Sequence, residues 1–117
     1  MKISEIRDTL DATVLAGDDQ LEKSVVAAGG ADLMSDILAA TAKDSVLLTG
    51  LMSEQVFQTC KIAEVGAIVF VRGKKPDENT MRIARSFGIP ILLTKCSLFV
   101  ASGRLYMNGL RGLNGSW

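Results

Sequence analysis

The chain has 117 residues, 48% of them apolar, and its 13 basic and 13 acidic side chains cancel. This length is enough for one domain with a modest core. The balanced charge argues against nucleic acid and against an anionic membrane surface as partners, since both require a basic face. The chain has no histidine, which removes the usual general base near neutral pH and the commonest zinc ligand. We therefore expect neither a metal site nor a cofactor.

The apolar content is high for so small a domain, and this excess favours burial in a subunit interface, most simply that of a homodimer. The N-terminus is amphipathic and soon acidic, unlike a signal peptide. No apolar run reaches the roughly 18 residues that would span a bilayer. Two isolated cysteines, Cys60 and Cys96, are typical of reduced thiols in a cytoplasmic protein.

The first third of the chain predicts two helices and two short strands. Apolar spacing predicts a helix over 3–11, and residues 13–16 and 24–28 form extended stretches separated by a turn-rich loop. We expect these two stretches to pair as neighbours in one sheet. Asp32 is expected to begin a helix over about 32–42, because aspartate is a favoured N-cap residue.

Three continuous apolar runs follow, over 45–49, 67–71 and 89–93, and they begin at 22-residue intervals. Each precedes a helix-start pattern, at Ser53, at 76–77 and at Ser97. Runs of this kind are typical of strands buried on both faces, alternating with helices. They predict an α/β fold, a single three-layer α/β/α domain with a mostly parallel sheet over residues 1–107, followed by a C-terminal tail over 108–117. The large apolar side chains of the tail are expected to pack on the domain or on a partner subunit.

Small and polar residues follow each of these strands: Thr49, Gly50, Arg72, Gly73 and Thr94. The ends of parallel strands meet at one sheet edge, where such folds bind ligands. Hydroxyls, glycine amides, a guanidinium and helix N-termini there suit a small anion or a nucleotide phosphate. The alternative is that these residues only end strands and cap helices. That alternative explains all of them except Arg72.

Catalytic patterns are weak. Phosphate-binding and dinucleotide-binding glycine loops are missing from the sequence, and a serine nucleophile would lack a histidine base. The one pair of carboxylates with helical spacing is Asp32 and Asp36. A structural role, with Asp32 as a helix cap, explains this pair better than acid–base chemistry. We therefore expect no enzyme activity.

Taken together, the order of segments and several local phrases resemble the DRTGG domain family over about residues 2–107. The phrases that carry the resemblance are Lys2–Ile6, Val14–Gly17, Gly29–Ile37, Leu47–Gly50, Gly66–Gly73 and Gly88–Thr94. The namesake Asp-Arg-Thr-Gly-Gly string is absent, so the chain resembles a stand-alone, divergent branch of the family.

The resemblance implies a fold similar to the N-terminal domain of HPr kinase/phosphorylase and a role in regulation or dimerisation, without catalytic machinery. Domains of this family occur in phosphotransacetylases and between CBS domains of regulated pyrophosphatases. Stand-alone members occur beside iron-hydrogenase genes, which implies a redox-complex partner. By motif position, the candidate ligand-binding residues are Asp32, Ser35, Asp36, Thr49, Gly50, Arg72, Gly73 and Thr94.

Three functions follow from these observations. The leading one is a cytoplasmic, non-enzymatic, homodimeric module that senses a small anionic metabolite or nucleotide, or positions a protein partner. The alternative is a structural assembly subunit or adaptor of a metabolic or redox complex, without a ligand. A phosphotransfer-type enzyme at the strand ends is third, because histidine, a phosphate loop and a metal cluster are all missing from the sequence.

Overall fold

The computed structural model describes residues 1–32, 34–35 and 42–113 and contains one five-stranded sheet, ordered β1-β5-β4-β3-β2. The strands are β1 (Thr13–Ala16), β2 (Ala27–Gly30), β3 (Ser45–Thr49), β4 (Ala67–Phe70) and β5 (Ile91–Leu93). The helices are α1 (Ile3–Leu10), α2 (Glu54–Ile62), α3 (Glu78–Ser86) and α4 (Leu98–Met107). A short 3-10 turn occupies Asp18–Gln20.

The sheet is mostly parallel, as predicted. Strands β2, β3, β4 and β5 run parallel to their neighbours, and only the edge strand β1 is antiparallel, against β5. The register aligns the ends of the central strands, with Thr49 opposite Phe70 and Phe70 opposite Leu93. The polar residues that follow these strands therefore lie along one edge.

The predicted pairing of 13–16 with 24–28 is wrong. Strand β1 pairs with β5 and β2 pairs with β3, so the two lie at opposite edges of the sheet. The loop between them exceeds the two to five residues of a usual hairpin. It is held at the start of α1 instead, where Ile3 N donates to Lys23 O at 2.9 Å and Ser4 N donates to Leu21 O at 2.9 Å. These bonds direct the chain from β1, at one edge of the sheet, to β2, at the other edge.

Helices cover both faces of the sheet, which confirms the three-layer α/β/α architecture. Helices α1 and α4 pack on one face, in a buried cluster that includes Ile6, Val69 and Leu105. Helices α2 and α3 pack on the other face, where Phe57 meets Phe70 edge to face, with ring centroids 6.2 Å apart. Burial of both faces explains why the three central strands are continuously apolar.

The segment after α4 returns to the edge of the sheet. Leu110 is buried in the same core as α1 and α4, and Ala28 N donates to Arg111 O at 2.8 Å. Gly112 then pairs in parallel with Ala28 of β2. This part of the predicted tail packs on the domain, whereas Trp117 lies outside the described residues.

Of the helix predicted over 32–42, the structure describes only part. Met34 and Ser35 are helical, Asp32 and Ala42 are not, and positions 33 and 36–41, including Asp36, lie outside the described residues. Within the described ranges, no helix has the length and apolar character needed to cross a membrane.

Candidate functional site

The structure brings the three predicted strand ends together at the C-terminal edge of the parallel sheet. Val71 N donates to Thr49 O at 3.1 Å, which joins the ends of β3 and β4. Gly73 N donates to Thr94 O at 2.8 Å, which joins the ends of β4 and β5. The candidate residues therefore share one edge, but their side chains have different surroundings.

At the end of β3, a buried hydroxyl and an exposed carboxylate form a small network. Thr49 Oγ1 donates to Asp32 Oδ1 at 2.9 Å and accepts from Leu51 N at 3.1 Å. Gly50 N donates to the same Asp32 oxygen at 3.1 Å. Asp32 therefore shapes the turn after β3. Ser35 is helical and exposed, and no described bond joins it to this network.

At the end of β5, the hydroxyl of Thr94 is committed to the fold. Thr94 is buried, and its Oγ1 donates to Leu10 O at 2.8 Å and accepts from Cys96 N at 3.2 Å. The first bond ties β5 to the C-terminus of α1. Its side chain therefore points to the α1 face and away from the Thr49 network.

Arg72 follows β4 in an unusual backbone conformation. Its φ is +68°, and Gly73 follows at +69°, a left-handed region that costs a non-glycine residue about 1 kcal/mol or more. Its amide donates to Cys96 O at 2.8 Å, which holds the turn in place. The structure therefore maintains a strained backbone at the one strand-end residue that helix capping does not explain.

The Arg72 guanidinium lies directly over Gly50. A Cβ atom on Gly50 would overlap Arg72 Nη2, so any other residue here would displace the guanidinium. Arg72 is exposed, and among the described residues its guanidinium makes no hydrogen bond and no ion pair. The five N–H donors of the guanidinium therefore have no acceptor among the described residues.

Helix α2 begins four residues after Gly50, and its start lacks a side-chain cap. Ser53 occupies the N-cap position without a capping hydrogen bond, and its buried Oγ has no partner among the described residues. The first amides of a helix have no intrahelical acceptors and carry partial positive charge. This helix start is therefore open to an acceptor from outside.

The starts of α3 and α4 differ from that of α2. Asp77 accepts from Thr80 N at 2.7 Å, and Ser97 accepts from Val100 N at 3.2 Å. The amide hydrogen bond from Thr80 lowers the pKa of the Asp77 carboxyl below its ordinary value. Of these three strand-to-helix connections, only the one leading into α2 lacks a cap.

The charges around this edge are mixed but include several exposed cations. Lys74 and Lys75 directly follow Gly73, and Lys95 packs beside Gly73. The acidic residues at this connection are Glu54, the first residue of α2, and Asp32, whose carboxylate already accepts from Gly50 N. The edge can thus accommodate an anion whose charge is met by Arg72 and lysines.

A cleft of about 400 Å³ lies at the opposite, N-terminal ends of the parallel strands, where no sequence motif indicated a site. Its lysines already have acceptors: Lys61 Nζ donates to Phe87 O at 3.4 Å and Lys23 Nζ donates to Gln20 Oε1 at 3.1 Å. Burial raises the pKa of the Cys60 thiol, which lines the cleft, to about 12, so this thiol stays protonated and is a poor nucleophile.

Across residues 1–32, 34–35 and 42–113, no three Cys, Asp or Glu side chains group to hold a metal.

The family model for the DRTGG domain matches residues 5–106. The chain belongs to the DRTGG domain family. No curated protein matches it in sequence.

Among solved structures, the DRTGG domain of this chain is similar to a regulatory region that contains CBS and DRTGG domains. That structure comes from the pyrophosphatase of Clostridium perfringens, in complex with its activator diadenosine tetraphosphate. The TM-score is 0.71 at 15% sequence identity, over 89% of this chain and 45% of the other. The present chain thus spans less than half of the regulatory region, and the likeness confirms the fold.

Proposed function

We propose that this DRTGG domain is a non-enzymatic regulatory module that binds a small anionic ligand, a phosphate-bearing metabolite or nucleotide, where β3 leads into α2. We further propose that it acts in the cytoplasm as a homodimer. Its similarity to the N-terminal domain of HPr kinase/phosphorylase stays an expectation from the sequence.

The observation that carries the proposal is the placement of Arg72. Its backbone is left-handed, and its guanidinium lies over Gly50 without a hydrogen bond or ion pair to the described residues. Strain maintained at an exposed position is typical of functional sites. A guanidinium recognises phosphate through paired, charge-assisted hydrogen bonds.

The open start of α2 supplies the second half of the proposed site. Unpaired amides at a helix N-terminus favour anions, and the Ser53 Oγ, which is buried without a described partner, would donate one further hydrogen bond once its side chain turns outward. Gly50 lies between this start and Arg72 and has no side chain to block the approach. The ligand would therefore complete the cap that Ser53 leaves open.

The other predicted residues have graded roles in this proposal. Asp32 and Thr49 hold the turn that presents Gly50. Thr94 has a structural role, because its hydroxyl ties the end of β5 to α1 through Leu10 O. Gly73 allows the tight turn after Arg72 at a φ of +69°. Contacts of Ser35 and Asp36 with a ligand stay predictions.

The similar structure supports a phosphate-rich ligand by analogy. The pyrophosphatase regulatory region was crystallised with diadenosine tetraphosphate as activator, and this DRTGG domain corresponds to part of that region. Nucleotides with several phosphates are therefore the first probes to use.

The test is thermal unfolding of the whole chain with inorganic pyrophosphate, ATP or diadenosine tetraphosphate. A ligand at 100 times its Kd stabilises the folded state by about 2.7 kcal/mol, a shift of several degrees in a domain of this size. We expect Arg72→Ala to abolish that shift and to leave the ligand-free Tm nearly unchanged.

Arg82→Ala is the matched control, because Arg82 is also exposed but lies on α3, where it bonds Asn79. It should keep the full ligand shift. A shift that survives Arg72→Ala would contradict the proposed site, and no shift with any of the three probes would contradict binding of these phosphates.

A second candidate function is assembly without a ligand. It is favoured by the exposed apolar face of α4, where Phe99 and Met107 are more than four-fifths exposed, because patches of this kind mark interaction surfaces. A chain that shows no phosphate response yet forms a stable complex through α4 would support this alternative. Its partner could belong to a metabolic or redox complex.

A further inference from the structure

The outward side of helix α4 carries most of the exposed apolar surface. Six large hydrophobic side chains are exposed in the described part of the chain, and four of them lie on this one helix. They are Phe99 (87% exposed), Val100 (41%), Tyr106 (43%) and Met107 (85%). Large apolar side chains that cluster in this way, rather than singly, mark an interface.

These four side chains surround a glycine. At about 100° per residue, they fall within an arc of about 120° on the α4 surface, with Gly103 at its middle. A Cβ atom added to Gly103 would meet nothing within 4 Å. The centre of the patch is therefore a low point on which another backbone could lie closely.

The arrangement is symmetric along the helix. Phe99 and Met107 each lie four residues from Gly103, and Val100 and Tyr106 each lie three residues from it. In a two-fold interface, residue i contacts residue j and j contacts i. A second, antiparallel copy of α4 crossing at Gly103 would place each Phe99 against a Met107 and each Val100 against a Tyr106.

We propose that the DRTGG domain dimerises through this face, with two α4 helices packed antiparallel about a two-fold axis at Gly103. This inference rests on the proposed homodimer, and it is independent of the proposed anion site. Phe–Met contacts of sulfur with an aromatic ring add to the burial of apolar area.

Charge and area favour a second copy as the partner. Helix α4 carries one charged residue, Arg104, which the same symmetry places opposite Ser102 and not opposite another arginine. The nearby Arg111 is engaged within the chain, with its guanidinium 4.4 Å from the centroid of the Tyr106 ring. The four side chains expose roughly 500 Å² per copy, so pairing would bury about 1,000 Å², near the lower limit for a specific interface. We therefore expect a dimer with a Kd in the micromolar range.

The first test is sedimentation velocity of the full chain over a concentration series. Phe99→Glu should raise the dimer Kd at least tenfold, because it puts a carboxylate against an apolar side chain twice per dimer. Ile62→Glu is the matched control, since Ile62 is 73% exposed but lies on α2, and it should leave the Kd unchanged. A monomeric wild-type chain would overturn the homodimer itself, whereas a wild-type dimer that Phe99→Glu leaves intact would overturn only this interface.

The second test reads the direction of pairing by disulfide formation in a Cys96→Ser background, where the buried Cys60 remains. Mixing Phe99→Cys chains with Met107→Cys chains should give the mixed disulfide at least five times faster than either chain alone gives its own. Gly103→Cys should cross-link with itself. Faster self-linking of Phe99→Cys than mixed linking would overturn the antiparallel pairing, and cross-linking to a different protein in place of a second copy would overturn the choice of partner.

Discussion

Two connections in this domain, from β3 to α2 and from β5 to α4, use the same hydrogen bonds at the strand end and differ at the helix start. In both, a buried threonine ends the strand and accepts from the amide two residues later, Leu51 for Thr49 and Cys96 for Thr94. Ser97 then caps α4, whereas Ser53 leaves α2 uncapped with its hydroxyl buried. Fold requirements explain the connection from β5 to α4 completely and the connection from β3 to α2 only in part.

This difference locates the residues that stability does not explain. A helix cap is typically worth about 1 kcal/mol, so an N-cap serine that does not cap forgoes stability. The strained Arg72 follows the neighbouring strand β4, and its guanidinium reaches over Gly50 of this connection. Two separate departures from the most stable arrangement at one place are typical of a binding site.

The largest effect should come from the threonines that end the strands. Thr94→Val leaves Leu10 O without its buried donor, so it should lower the free energy of unfolding by about 2 kcal/mol. Thr49→Val should cost about 1 kcal/mol, because water can replace its hydroxyl at the exposed Asp32 carboxylate. Urea unfolding monitored by circular dichroism measures both, and a larger loss for Thr49→Val would contradict this ranking.

The helix-start serines should respond unequally. Ser97→Ala removes a cap and should destabilise the domain by about 1 kcal/mol. Ser53→Ala does not remove a cap; it removes only a buried hydroxyl that has no described partner. The free energy of unfolding should therefore change by less than about 0.5 kcal/mol. Chemical unfolding without ligand distinguishes the two, and equal losses would show that Ser53 caps α2 in solution.

Replacement of Arg72 by glycine should stabilise the ligand-free chain. Glycine adopts the left-handed backbone at +68° without strain, so we expect a gain of about 0.5 kcal/mol, measured as a higher urea midpoint. Glu64→Gly is a matched control, because Glu64 is also left-handed, at +58°, but lies at the other edge of the sheet. A clear loss of stability for Arg72→Gly alone would make Arg72 a structural residue.

The connection into α3 gives the smallest effect and a pH dependence. The pKa of Asp77 is lowered in the folded state by the amide of Thr80, so its contribution is present above the ordinary value of 3.8 and is lost as the pH falls through the lowered folded value. Asp77→Asn keeps a capping side chain but does not titrate. The difference in free energy of unfolding between wild type and Asp77→Asn should therefore shrink as the pH is lowered from about 5 to about 3. A constant difference would contradict the role of the Asp77 carboxylate as a cap of α3.

Much of the fold could be predicted from periodicity. The three continuous apolar runs are the three central strands, and the helix starts predicted at Ser53, at 76–77 and at Ser97 lie within one or two residues of the observed ones. Burial on both faces explains this success, because such strands need long apolar runs whatever their neighbours are. Pairing of the edge strands could not be predicted, since β1 and β2 are placed by bonds between α1 and the loop at Leu21 and Lys23.

The location of the site could be predicted from the sequence, but the side chains available to a ligand could not. Strand order puts Thr49, Arg72 and Thr94 at one edge, but sequence does not show that the Thr94 hydroxyl turns to Leu10. Nor does it show that Ser53, which has the sequence of a cap, does not cap. Gly50 gave the one available sign, because a glycine between a strand and a helix start often leaves room for something close by, here the Arg72 guanidinium.

The most direct test of the account is a titration of the ¹⁵N-labelled chain with diadenosine tetraphosphate, followed by NMR of the backbone amides. We expect the largest shift changes at Gly50, Glu54 and Gln55, and we expect the amide of Val100 at the capped start of α4 hardly to move. These changes should vanish in Arg72→Ala. Shift changes centred on the start of α4 or on the opposite edge of the sheet, or none at saturating ligand, would contradict it.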